Sequence, residues 1–254
     1  MDMPENRFKR ALKSGSAQLG CWLSLGSHAA AEIAAGAGFD WLLIDMEHAP
    51  NELPSVHAQL HAAAGYPVAA MVRPPWNDTV VVKRLLDLGV QTLLIPFVET
   101  AEEARRAVAA TRYPPGGVRG VSTNSRANRF GRVRDYFARV EDEMCVLIQI
   151  ESKRGVENLG EIVKVEGLDG IFIGPQDLAA GYGHLGNPGH PEVQEVIAAA
   201  IDRIRSGGKA AGILAFAEAD AKKWIAHGAD FVAITSDQFL LARDTTATLA
   251  KFRP

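Results

Sequence analysis

The sequence predicts a (β/α)8 TIM barrel, and three observations point there. Short β-rich runs alternate along the whole chain with Ala-, Leu- and charge-rich stretches of helical period. Eight such pairs fall within 254 residues, the arithmetic of an eightfold α/β barrel built as a single domain over 1–254. Glycine with aspartate or a similar turn precedes several runs (GAGFD, EGLDG, HGAD), as helix C-caps feeding strands do. An open doubly wound sheet is the alternative. It loses its main support because no G-x-G-x-x-G follows the first strand and no G-x-x-x-x-G-K-[ST] occurs.

The elements follow in order. The run 19–25 (LGCWLSL) opens the series and a helical stretch over 29–37 follows it. The run 40–46 (DWLLIDM) leads to 53–64, and 67–72 (PVAAMV) to 79–88. Then 91–97 (QTLLIPF) is followed by 101–110, and 145–150 (CVLIQI) by 156–165. The last three strands are 169–173 (DGIFI), 209–214 (KAAGIL) and 230–235 (DFVAIT), with helices over 193–204, 218–227 and 238–251. One connection is long. Residues 113–143 carry PPGG and arginines 119, 126, 129, 132 and 134, and read as a functional or mobile βα loop that could clamp an anionic partner.

Composition narrows the function. Lysine and arginine total 27 against 30 acids, so the net charge is −3, where a nucleic-acid binder would show a basic surplus. Apolar residues at 47% and charged residues at 22% describe a globular chain rather than a disordered one. The two cysteines, Cys21 and Cys145, lie in apolar runs and read as reduced core residues of a cytoplasmic protein. The charged N-terminal stretch predicts no secretory signal, and no apolar run is long enough to predict a membrane helix.

In a parallel barrel the reactive groups stand at the C-terminal ends of the strands. The second run ends in Asp45, Glu47 and His48, and the third in Arg73 followed by two prolines. The fifth ends in Gln149 and Glu151, and the sixth runs into Asp177. An imidazole beside an orienting carboxylate is the pattern of a general base, although acids there also suit a helix N-terminus. A guanidinium held at a proline-stiffened exit suits a carboxylate or a developing oxyanion, with a surface ion pair as the plainer reading. Glu151 and Asp177 on neighbouring strand ends suit a hard divalent cation, or each could cap the helix that follows. Asp40, Asp169 and Asp230 precede strands and read as turn or capping residues at the opposite end. His57 and His61 read as a solvated helix face. The loop GYGHLGNPGHP, with His184 and His190, has the glycines of a phosphate cradle without its lysine.

At these residues a resemblance enters. GFDWLLIDMEHAP, MVRPPWND, YPPGGVRGVS, LIQIES and IFIGPQDLAAGYGHLGNPGHPEV together closely resemble the HpcH/HpaI aldolase family, class II pyruvate aldolases, and in particular its hydroxyketoacid-aldolase branch. The likeness runs from about Asn6 to the C-terminus. It implies cleavage of 4-hydroxy-2-oxoacids to pyruvate, or a related 2-oxoacid, and an aldehyde, with a divalent ion (Mg²⁺, Mn²⁺ or Co²⁺) as cofactor. His48 is then the base and Arg73 the group that binds the pyruvyl unit and steadies the enolate. Glu151 and Asp177 are the metal ligands, and Gln149 with Gly174, Pro175 and Gln176 meets the substrate. Asp87, which reads from the bare sequence as an ordinary helix-end acid, is implied to support His48, with Asp45 beside it. Gln176 departs from the family's small residue, and 121–132, implied to lie near the acceptor aldehyde, differs in detail. The resemblance further implies a last helix swapped between protomers and a homohexamer. A CoA-ester lyase of the citrate-lyase or malyl-CoA type, and a non-catalytic barrel binding protein, are the competing readings.

Overall fold

All eight expected strands form, are parallel and close on themselves, each pairing with the next and the last with the first. A computed structural model describes residues 1–253 of the protein. The strands are β1 (Gln18–Leu23), β2 (Trp41–Asp45), β3 (Ala69–Arg73), β4 (Thr92–Ile95), β5 (Cys145–Ile150), β6 (Gly170–Ile173), β7 (Ala210–Leu214) and β8 (Phe231–Ser236). A short helix α1 (Arg7–Ala11) precedes the barrel. The outer helices are α2 (His28–Gly36), α3 (Leu53–Ala63), α4 (Thr79–Asp87), α5 (Ala101–Thr111) and α6 (Tyr136–Glu143). After β5 come α7 (Lys153–Glu157) and α8 (Leu159–Ile162). Next are α9 (Pro175–Gly181) and α10 (Pro191–Ser206), then α11 (Glu218–His227) and α12 (Asp237–Ala250).

Strand alternation explains how one sequence fills two cores. Successive side chains point to opposite faces. Trp41, Leu43, Met71, Leu147, Phe172 and Phe231 therefore fill the barrel. Their neighbours Leu42, Ile44, Val72, Ile148, Ile171 and Val232 pack outward under the helices. Small residues make room for large ones: a Cβ on Gly20 would collide with the Trp41 ring, and one on Gly212 with Phe231. Phe8 of α1 plugs the strand-start end, its ring edge-on to Phe231 at 5.5 Å. The aspartates expected to cap strand starts do so. Asp40, Asp169 and Asp230 accept from the backbone N–H of Leu19, Val146 and Ala211, each at 2.8 Å.

Two expectations need correction. The helix expected over 156–165 begins earlier, because the Ser152 side chain caps Gly155 N–H at 3.1 Å, and it breaks at Asn158 into α7 and α8. The arginine-rich connection is not a βα loop. It follows α5 and precedes β5, so it belongs to the strand-start end, opposite the end where strands deliver catalytic groups. It is also partly structured, by a 3-10 turn (Arg126–Asn128) and by α6. Its Arg126 donates to Leu88 O at 2.6 Å.

Candidate active site

The same alternation that fills the barrel sets the site. Continuing the inward positions of β2, β3, β5 and β6 beyond the last apolar layer brings Asp45, Arg73, Gln149, Glu151 and Gly174 to the strand-end mouth. Asp45 and Arg73 are direct register partners on adjacent strands, which accounts for their pairing.

Arg73 is the hub. Its side chain is 6% exposed, against 2% for Asp45. Arg73 Nε donates to Asp45 Oδ1 at 2.8 Å and Nη2 to Oδ2 at 2.7 Å, a two-pronged pairing. Trp22 Nε1 donates to the same carboxylate at 3.2 Å, and the guanidinium stands 5.0 Å from the Trp22 ring centre. Burial alone would raise the Asp45 carboxyl, but Arg73 outweighs it and holds Asp45 below the ordinary carboxylate range. The remaining nitrogen, Nη1, lies 2.8 Å from Glu47 Oε2 and 3.5 Å from Gln149 Oε1.

Beside this cation the mouth holds excess negative charge. Glu151 is buried, accepts Phe97 N–H at 2.8 Å, and takes a short hydrogen bond from Gln149. Burial first, then the charges of Glu47 and Asp177, push its carboxyl up to about 7. Glu47 is raised as well, burial and the Asp45 and Asp177 charges outweighing Arg73. Its buried Oε2 receives no well-directed hydrogen bond. Arg73 is already committed to Asp45, so Glu47, Glu151 and Asp177 share too little positive charge. That is the donor set of a hard divalent cation, which takes one or two carboxylates and fills its remaining positions with water and substrate oxygens. The residues present therefore fit such an ion. Gly174 adds a steric condition. A Cβ there would lie 2.7 Å from Glu151 Oε2 and 2.8 Å from Gln149 Nε2, so the backbone can approach these groups because the residue is glycine. Pro175 starts α9, and Gln176 and Asp177 are exposed in its first turn.

The structure separates the other expected residues. His48 stands at the rim with its side chain 66% exposed, and the carboxylate facing it is Glu47, at 3.9 Å. Asp45 does not orient His48, because both its oxygens serve Arg73 and Trp22. Asp87 ends α4 on the strand-start side, where burial raises its carboxyl and Arg119 and Lys83 are the cations beside it. One chain therefore does not bring Asp87 to His48. Glu47 is the group that sequence reasoning under-used: it was visible in D-x-E-H, yet its ties to Arg73 and Glu151 exist only across strands. Trp22 gave no signal beyond its place in an apolar run.

Comparison with known proteins agrees with this geometry. The family model described as HpcH/HpaI aldolase/citrate lyase matches residues 18–243. A 4-hydroxy-2-oxo-heptane-1,7-dioate aldolase of Escherichia coli is 56% identical over 249 residues, covering 98% of this chain and 95% of its own. One of the same name from Klebsiella pneumoniae is 57% identical over 248 residues, with 97% and 94% covered. The crystal structure of an HpcH/HpaI aldolase/citrate lyase family protein from Burkholderia cenocepacia superposes with a TM-score of 0.95 at 41% identity, covering 98% of this chain and 100% of that one. The barrel, the order of its strand-end groups and these matches lead to one conclusion: the chain belongs to the HpcH/HpaI aldolase/citrate lyase family.

Proposed function

We propose that the protein is a class II aldolase that reversibly cleaves 4-hydroxy-2-oxoacids into pyruvate, or a related 2-oxoacid, and an aldehyde. The observation that carries this reading is a buried, fully oriented arginine beside a carboxylate pair short of positive charge. Relatives at 56% and 57% identity bearing the 4-hydroxy-2-oxo-heptane-1,7-dioate aldolase name support the same substrate class. They do not favour the CoA-ester alternative.

Glu151 and Asp177 would hold the divalent ion, Mg²⁺, Mn²⁺ or Co²⁺. Bound there, it supplies Lewis acidity toward the keto and carboxylate oxygens of the 2-oxoacid. The chain's own groups do the rest. His48, exposed at the rim, accepts the 4-hydroxyl proton, directly or through water. The C3–C4 bond then breaks, its electron pair passes into the 2-oxoacid fragment, and the aldehyde leaves. Arg73, pre-oriented by Asp45 and unable to lose its proton, stabilises the negative charge that develops on the enolate oxygen. Gln149, fixed between Arg73 and Glu151, and the backbone at Gly174, Pro175 and Gln176 form the wall against which the 2-oxoacid lies. A proton delivered to C3 by water, in exchange with the one His48 took from the 4-hydroxyl, completes pyruvate and returns His48 to its starting state.

The assembly is part of this reading. α12 buries none of its residues, and Phe239, Leu241, Leu249 and Phe252 are exposed along and beyond it. Such a helix suits a swapped position against another protomer, in a homohexamer. Asp87 and the arginine-rich connection, which the resemblance assigns to the site, lie together on the strand-start side. They would serve a neighbouring protomer's mouth, with Asp87 facing that protomer's His48. The small-molecule partners are a 2-oxoacid and an aldehyde, and neither nucleic acid nor membrane is involved. Among the described residues no helix is long and apolar enough to cross a membrane. Two buried, unpaired cysteines support a cytoplasmic setting.

The test is cleavage of 4-hydroxy-2-oxoheptanedioate, with pyruvate followed by coupled reduction. Breaking C3–C4 must release pyruvate and the four-carbon semialdehyde in equal amounts, dependent on divalent ion and lost in Arg73→Lys. Turnover insensitive to EDTA would contradict the reading.

A further inference from the structure

A second group of metal-ligating side chains lies outside the barrel mouth. His184 follows the end of α9, His190 is the N-cap of α10 and Glu192 is in the first turn of α10. One donor atom from each lies within 4.8 Å of the other two. His184 Nε2 is 2.7 Å from Glu192 Oε2. The two imidazoles stack with ring centres 3.5 Å apart and planes at 14°. His190 Nδ1 accepts the Glu192 N–H at 3.3 Å, which leaves its Nε2 for another partner.

The backbone under these side chains is already tied. His184 N–H donates to Ala179 O at 2.8 Å, Asn187 N–H to His184 O at 2.8 Å, and His190 N–H to Asn187 O at 3.1 Å. Gly183 and Gly186 take the left-handed φ values (+83° and +76°) that turn the loop back on itself. Stacked imidazoles this close repel if both are charged. The cluster offers two imidazoles and a carboxylate oxygen as donors. Glu192 is held ionised, below its ordinary range, chiefly by the hydrogen bond with His184.

We propose that His184, His190 and Glu192 form a second metal site, selective for a transition ion such as Zn²⁺, that staples the loop 182–190 to the start of α10. Imidazole donors suit zinc, nickel and copper, whereas the all-carboxylate pair at the mouth suits magnesium and manganese, so the cluster discriminates against magnesium more strongly than the mouth does, although Zn²⁺ can enter both. At ion–donor distances near 2.0–2.2 Å tetrahedral donors stand about 3.3 Å apart, so the His184–Glu192 pair must open from 2.7 Å while His190 turns out of the stack to face the ion. The partly exposed side chains have room for that rotation, and the carboxylate exchanges its His184 contact for the ion. The ion would also fix the end of α9, the helix whose first turn carries Asp177.

The experiment is calorimetric titration of Zn²⁺ into EDTA-treated, dialysed protein. Intact protein should bind at the cluster as well as at the mouth. His184→Ala, His190→Asn and Glu192→Gln should each lose the cluster event, weakened by at least about tenfold, while retaining the other. His190→Asn keeps a good N-cap acceptor, so its loss of zinc cannot be a lost helix end. Glu151→Gln should retain the cluster event. Hydrogen exchange across 182–190 should slow with Zn²⁺ in the intact protein and not in His184→Ala. Zinc binding of unchanged stoichiometry and affinity in the three variants, or its complete loss in Glu151→Gln, would overturn the proposal.

Discussion

Asp45→Asn removes the charge that pairs with Arg73 and leaves the shape of the side chain almost unchanged. Both groups are nearly inaccessible and joined by two hydrogen bonds of 2.7–2.8 Å. Breaking a buried pair by deleting one partner typically costs about 3–5 kcal/mol, because the other charge is left without compensation. Here Glu47, 2.8 Å from Nη1, still faces the guanidinium, so the loss should fall at the lower end, about 3 kcal/mol. For a chain of this length that corresponds to a fall in Tm of about 6–12 °C. Asp45 is held below the ordinary carboxylate range, so it stays ionised across neutral pH. Its contribution should be fully present there and be lost only as pH falls through that depressed value. Urea denaturation of both proteins at several values between about pH 6 and 8 measures this. A loss below about 1 kcal/mol, or one that varies strongly across that range, would refute the argument that Asp45 is the charge partner that orients Arg73.

Other outcomes follow from the same geometry. In EDTA-treated protein, Glu151 has its carboxyl raised from 4.5 to about 7. A raised acid makes the folded state bind more protons, so stability should fall as pH rises from about 4.5 to 7, by about 3 kcal/mol in all. Glu151→Gln should flatten most of that slope, Glu47 leaving a smaller one, and stabilise the metal-free protein at pH 8; an unchanged urea profile would count against the burial argument. Gly174→Ala places a methyl group against Glu151 and Gln149, and should abolish metal-dependent turnover while costing about 1–3 kcal/mol, as overpacking does. Gly212→Ala drives a Cβ into the Phe231 ring inside the barrel and should reduce soluble expression more than Gly174→Ala does. Inactive His48→Ala and Asp87→Asn proteins, refolded together, should regain part of the activity if the site is shared between protomers. No recovery on mixing would place Asp87 outside the site.

The fold was legible because it rests on local signals: strand alternation, C-cap glycines, and aspartates before strands are written in consecutive residues. The site was legible in its parts, since strand ends name the groups that reach the mouth. The partnerships were not. Asp45 stands three residues from His48, and adjacency suggested that it orients the imidazole. The strand register instead sets it opposite Arg73, where both its oxygens are taken. The arginine-rich connection was misplaced for a related reason: its length suggests function, and only the strand count around it tells which end of the barrel it occupies. Asp87 shows where a single chain stops being informative, because its place at the far end of α4 acquires meaning only in an assembly.

The central claim is metal-assisted enolisation of a 2-oxoacid at the barrel mouth, and exchange of the pyruvate methyl protons in D₂O tests it without knowledge of the aldehyde. Followed by NMR, exchange should be fast with Mn²⁺ or Mg²⁺, should stop with EDTA, and should be lost in Glu151→Gln. Exchange that persists after the ion is removed, or that survives the loss of Glu151, would contradict the account.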